Sequence, residues 1–212
     1  MAPISQRCLR TLRILFKKWG RLTSAKAVDI FGPMNRYVAF LRGMNLGNRR
    51  IKNEELRAHF EAMGLEEVST FRASGNVIFA SPKREAESQL AARVEAELDE
   101  RLGYDVPVFL RSEKEMAAIA AQAPFPAAKV KKSKGKLQVS LLKKKPSAAA
   151  RKKVLALAGD EDLLAFEGRE LYWLPSGGLL ESDLDLKAIG KLLGADTRRT
   201  MGTIEQIAAK LA

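Results

Sequence analysis

Cysteine and histidine are nearly absent from this chain: Cys8 and His59 are the only examples in 212 residues. A single cysteine cannot close a disulfide within the chain, and no multi-cysteine metal centre can be assembled. Cys₂His₂ zinc and any two-histidine metal site are excluded as well, and a Cys-His dyad would require Cys8 to fold back onto His59. No metal and no cofactor is therefore expected. Such cysteine usage suits a reducing cytoplasm, the expected location. No run of about eighteen apolar residues exists, so no membrane span is expected.

Acidic residues are missing from two segments, and this places the charge. Residues 1–33 carry seven basic side chains against Asp29 alone, and residues 129–153 carry eleven with no acid. The net charge of +12 is thus local, and the remainder of the chain is mildly acidic. A localised basic patch is a better sign of a partner than a diffuse excess, although a solvated loop gives the same composition. In residues 1–33 the longest apolar run, Ile14-Leu15-Phe16, is too short for a signal-peptide core. That segment reads either as a transit-like amphipathic stretch or as a tail outside the fold. Gly32-Pro33-Met34 breaks the chain just before the first clear strand, which favours the tail.

The rest of the chain is patterned. Residues 37–41 read as a strand. Asn53 is placed to cap a helix opening with Glu54 and Glu55 and carrying Leu56, Phe60 and Met63 on one face, with Gly64 closing it. Residues 68–72 and 77–80 are β-rich runs around Ala73-Ser74-Gly75-Asn76, a hairpin turn. Ser81 and Pro82 fit a helix start, Leu90, Val94, Leu98 and Leu102 repeat every four residues, and 106–110 is again a strand. Ser112-Glu113-Lys114-Glu115 has the form of a capping box. Leu137, Val139 and Leu141 alternate in a strand, Ser147 caps a helix, 163–166 and 171–174 form a hairpin, and 186–193 and 203–211 are short helices.

The expected class is α+β: a ferredoxin-like βαββαβ first half packed with a related βαββα second half in a two-lobed molecule. The expected division is a basic extension (1–33), the ferredoxin-like half (34–111) and a second α/β half (112–212) with a basic loop at 129–145 and a C-terminal helix. Strands of the first half are apolar on both faces, whereas two helices cover only one. The second half, or a second subunit, must cover the other face.

Three stretches carry a family resemblance: Leu41-Arg42-Gly43-Met44-Asn45-Leu46-Gly47, Ser74-Gly75-Asn76-Val77, and Thr197-Arg198-Arg199-Thr200-Met201-Gly202-Thr203-Ile204. In this order they resemble the bacterial domain-of-unknown-function 1697 family, with its LRGINVGG, QSGNVVF and T-x-R-N-W-x-T-V patterns. Ala73 stands where that family commonly has glutamine, and Thr200-Met201 replace its Asn-Trp pair. The resemblance spans about residues 35–211. It implies an α/β architecture with ferredoxin-like topology, leaves residues 1–33 outside the family domain, and implies no activity, since the family is uncharacterised.

The glycine loop after the first strand is the leading site. Gly43 and Gly47 permit close backbone approach, Asn45 sits between them, and Arg42, Arg49, Arg50 and Lys52 supply donors to an anion. The loop is neither a Walker A nor a G-x-G-x-x-G pattern, and a tight β-α connection explains the same glycines. If strands one and three are antiparallel neighbours, Ser74, Gly75 and Asn76 share a rim with this loop. Arg199 is a third candidate there. Ser74 as a nucleophile lacks a histidine base. Glu181, Asp183 and Asp185 have the composition of a magnesium cluster, yet they precede a helix that needs a cap. His59 borders an apolar helix face.

Three functions are weighed: a binding protein for a small anion or nucleotide-like ligand through Arg42, Gly43, Asn45, Gly47, Ser74, Gly75, Asn76 and Arg199; sequence-indifferent nucleic-acid binding through Lys131, Lys132, Lys143 and Lys144; and an enzyme acting on a phosphorylated substrate. Near the lysines only Phe125 can stack on a base, so any nucleic-acid contact would be to phosphates.

Overall fold

The computed structural model describes residues 34–44, 51–159 and 162–212, and residues 35–212 form one compact unit. Expectations for residues 1–33, and for Asn45, Gly47, Arg49 and Arg50, lie outside the described residues. The described chain is mixed α+β, with two four-stranded antiparallel sheets and seven helices.

The first sheet holds β1 (Asn35–Leu41), β2 (Glu66–Thr70), β3 (Asn76–Ser81) and β4 (Val108–Ser112) in the order β2-β3-β1-β4. Pairing Ala39 with both Val77 and Leu110 aligns the pleats, so alternate residues sort onto two faces. Tyr37, Ala39, Val77, Phe79 and Leu110 pack beneath α1 (Asn53–Ala62) and α2 (Glu87–Leu102), against Leu56, Phe60, Leu90, Val94 and Leu98. Val38, Phe40, Ile78 and Phe109 point the other way.

That second face is buried. It shares a core with α3 (Glu113–Ala120), with strands of the second sheet and with α7 (Met201–Leu211), through Met116, Val139, Leu141, Tyr172, Ile204 and Ile207. The second sheet comprises β5 (Gln138–Leu142), β6 (Leu163–Glu167), β7 (Glu170–Leu174) and β8 (Asp196–Thr200), in the order β6-β7-β5-β8. Its far face, with Leu171 and Trp173, is covered by α5 (Ala148–Leu155) and α6 (Leu186–Leu193) through Val154 and Ile189.

The second half is thus β-α-β-β-α-β followed by α7, and its sheet repeats the first position for position. The expected βαββα pattern lacked β8. Asp-Thr-Arg-Arg-Thr has no apolar residue and its strand exists through its ladder to β5, with Arg199 opposite Val139 and Thr197 opposite Leu141. Nor is 129–145 a single loop. It contains most of α4 (Ala127–Lys132) and all of β5. β4 runs through the expected boundary at 111/112 and passes directly into α3, capped by Ser112, whose Oγ accepts from the Glu115 amide.

Two cap assignments change. Asn53 is the first residue of α1, not its cap. Ser81 stays in β3, paired with Asn35, and the following helix waits until Ala86, whose amide donates to Gln89 Oε1 at 3.2 Å. α7 is capped by Thr200, whose Oγ1 accepts from the Thr203 amide at 3.3 Å. Threonine and asparagine both serve at this position, which accounts for Thr200 where the family pattern has asparagine. Ser147 and Asp185 cap α5 and α6, as the sequence predicts for Ser147 and for the acidic stretch at 181–185.

Candidate functional site

β1 ends at Leu41, and its antiparallel pairing with β3 puts that end beside the β2–β3 turn. The Leu41 amide donates to the Gly75 carbonyl at 2.7 Å. Gly75 has φ of +66° and lies so close to β1 that a Cβ would stand 3.1 Å from Leu41 Cβ and 3.2 Å from its carbonyl oxygen. Both the left-handed conformation and the contact call for glycine. Asn76 is fully buried and orders the turn, its Nδ2 donating to Phe71 O at 3.0 Å and Ser74 Oγ at 2.8 Å.

Arg199 reaches this turn from the second sheet. Its residue faces the shared core, with Val139 opposite, and its guanidinium lies over the Phe40 ring. Nε donates to Asn76 Oδ1 at 2.7 Å. Nη1 donates to Thr197 Oγ1 at 2.9 Å and Arg198 O at 2.7 Å. Nη2 donates to Ser74 O at 2.7 Å and to Leu41 O at 3.4 Å. All five N–H groups therefore meet protein oxygens. None of those oxygens belongs to a carboxylate, and Arg199 forms no ion pair with a described residue. Burial alone pushes its pKa down to about 10.

Ser74, Gly75, Asn76 and Arg199 are thus brought together at the end of β1. Arg42 follows Leu41 there, exposed and without an ion pair to a described residue, and Gly43 has φ of +78°. Ser74 Oγ is held by Asn76, and no histidine approaches it.

A second cationic cluster, one not singled out in the sequence, joins the two halves and differs in kind. Arg111 is fully buried, with Nε on Glu170 Oε1 at 2.8 Å and Nη2 on Leu142 O at 2.9 Å. Arg169, in the β6–β7 turn, donates to Glu87 at 2.5 Å and Glu115 at 2.8 Å. Burial and the neighbouring Arg169 lower the Arg111 pKa against the pull of Glu170. Burial raises the Glu87 carboxyl, whereas the Ser112 amide and Arg169 hold Glu115 below the usual range despite its own burial. Each arginine here has its counter-charge within the protein. The only sequence sign is a charged residue ending an apolar strand at Arg111.

Lys131 and Lys132 lie on α4 before β5, and Lys143 and Lys144 follow it, so a five-residue strand, about 16 Å long, separates the pairs. Lys143 is engaged with Glu95 and lies over the Phe109 ring. Glu181 and Asp185 accept from backbone amides at Gly178 and Ala188. Among the described residues, no three His, Cys, Asp or Glu side chains are placed to share a metal ion. His59 is half-buried, with Nε2 4.0 Å from Glu55.

Comparison with known protein families covers the first two motifs that form this rim, at 41–47 and 74–77, and not the third, at 197–204. Residues 34–172 match the family described as "Protein of unknown function (DUF1697)". The chain belongs to the DUF1697 family. A solved structure, that of a conserved bacterial protein from Streptococcus pneumoniae, has a TM-score of 0.64 and 22% identity, covering 84% of this chain and 99% of that one. That likeness establishes a shared fold. No curated protein matches the sequence. Among the described residues, no helix is long and apolar enough to cross a membrane.

Proposed function

We propose that this DUF1697 protein is a binding protein that holds a small anion or nucleotide-like ligand at the end of β1. Arg42 and Gly43 would meet it, beside Ser74, Gly75 and Asn76, and Asn45 and Gly47 are proposed as further contacts. Arg199, its own donors occupied, would act as a fixed positive charge behind them. This reading takes each half as a ferredoxin-like unit, a description supported by the matching strand orders.

One observation carries the proposal. Arg199 is a half-buried cation with no carboxylate partner among the described residues, whereas Arg111 and Arg169 have theirs. An uncompensated charge in a region of reduced dielectric attracts an anion more strongly than the same charge in water. Exposed Arg42 adds mobile donors that suit phosphate or carboxylate.

The test is calorimetry and thermal shift on the full chain with inorganic phosphate, nucleoside mono- and diphosphates, and small carboxylates. A true ligand at about one hundred times its Kd stabilises by about 2.7 kcal/mol, roughly 5–10 °C in a domain of this size. Arg42→Ala should abolish the shift while leaving the ligand-free melting temperature unchanged. Indifference to every compound would overturn the reading.

A further inference from the structure

A sizeable cavity lies away from this rim. About 710 Å³ in volume, it opens between the 122–127 linker, α4, the turn leading into β5 and the first turn of α7. This is within the range of small-molecule sites, about 300–1,000 Å³. Its walls include Phe125, Val130, Leu137 and Met201, all contributors to the shared core or packed against it. Two exposed lysines, Lys131 and Lys136, also line it.

The turn bearing Lys136 is held in place. Ser133 Oγ donates to Pro175 O at 2.9 Å, and Gln138 Nε2 donates to Gly135 O at 2.7 Å. Gly135 fits so tightly that a Cβ would stand 2.7 Å from both Pro175 Cγ and Gly177 O. Lys136 itself has φ of +58°, a conformation uncommon for a side chain with a Cβ. Across the opening, Gly202 in the first turn of α7 leaves open space where a side chain would stand. Glu205 is the single carboxylate of the lining and makes no ion pair with a described residue.

We infer that this groove binds a small amphipathic monocarboxylate, an apolar body with one anionic head. The apolar wall takes the body, and the two lysines take the head. Two positive charges against Glu205 leave a net of one, which suits a monoanion rather than a dianion. A neutral molecule would forgo the lysines, and a bare anion would leave the apolar wall wet.

Titration calorimetry on the full chain, with decanoate below its micelle concentration, decanol and acetate as probes, decides the matter. Decanoate should bind with one site per chain, decanol more weakly and acetate not detectably. Lys131→Gln with Lys136→Gln should weaken decanoate by about tenfold, as expected for two partly screened charge contacts. Val130→Glu, at a half-exposed position, should remove binding, and Arg42→Ala should leave it intact. Absence of decanoate binding, equal affinity for decanol, binding of acetate alone, or indifference to the lysine substitutions would each overturn the inference.

Discussion

Replacing Arg199 by methionine keeps a long stem over Phe40 but removes the guanidinium that ties β8 to β1 and to the β2–β3 turn. Two opposing quantities set the outcome. Five hydrogen bonds from a charged donor, at about 1.5 kcal/mol each, contribute roughly 7 kcal/mol. Against this, holding the charge out of water lowers its pKa to about 10, and a depression of that size corresponds to about 3 kcal/mol. The difference favours arginine by about 4 kcal/mol. Water can replace the donor at exposed Ser74 O, but not readily at fully buried Asn76, so about 3 kcal/mol is the expected loss. Urea denaturation followed by Trp fluorescence should show a lower midpoint, with melting reduced by roughly 6–12 °C. Arg199→Lys should recover little, because an ammonium cannot reach five separated oxygens. If Arg199→Met is as stable as the parent, burial offsets the hydrogen bonds entirely, and the guanidinium is not what joins these elements.

Tyr172 has a buried hydroxyl without a partner among the described residues, and burial raises its pKa well above the ordinary phenol value. Tyr172→Phe should stabilise the protein by about 1 kcal/mol at neutral pH. Because the folded state keeps this proton while the unfolded chain releases it near pH 10, the parent should lose stability above pH 10 and the variant should lose less. A destabilised phenylalanine variant would reveal a partner for the hydroxyl. Glu115, held low by the Ser112 amide and Arg169, contributes stability above its unfolded pKa that is lost as pH falls through the folded value. Glu115→Gln should cost about 1–2 kcal/mol at pH 7 and flatten the stability curve below about pH 4.5, read by denaturation across a pH series. An unchanged acid limb would remove Glu115 from that role.

Apolar periodicity made most elements legible. Leu56, Phe60 and Met63 mark a helix face, Leu90, Val94 and Leu98 another, and two-sided apolar strands signalled that a second layer must cover Val38, Phe40 and Ile78. The Ser74–Asn76 turn beside the end of β1 followed from antiparallel pairing alone. β8 was hidden because its five residues are all polar, and with it the full repeat of the second half. Helix starts were misread at Asn53 and Ser81, where neighbouring residues set the boundary and local cap chemistry did not. Arg199 was legible as a candidate residue, but three of its five partners lie on two segments distant in sequence, at Leu41 and at Ser74–Asn76. The Arg111–Glu170 contact, likewise spanning 59 positions, needed the fold to bring it together.

The direct passage from β4 into α3 has a mechanical result. With no slack between strand and helix, the helix that plugs the seam cannot swing away without pulling on the sheet that precedes it. Severing the chain after that helix would strand Val38, Phe40, Ile78 and Phe109 against solvent on one fragment, and Tyr172, Ile204 and Ile207 on the other. The two repeats thus survive as one indivisible body, each serving as the other's lid.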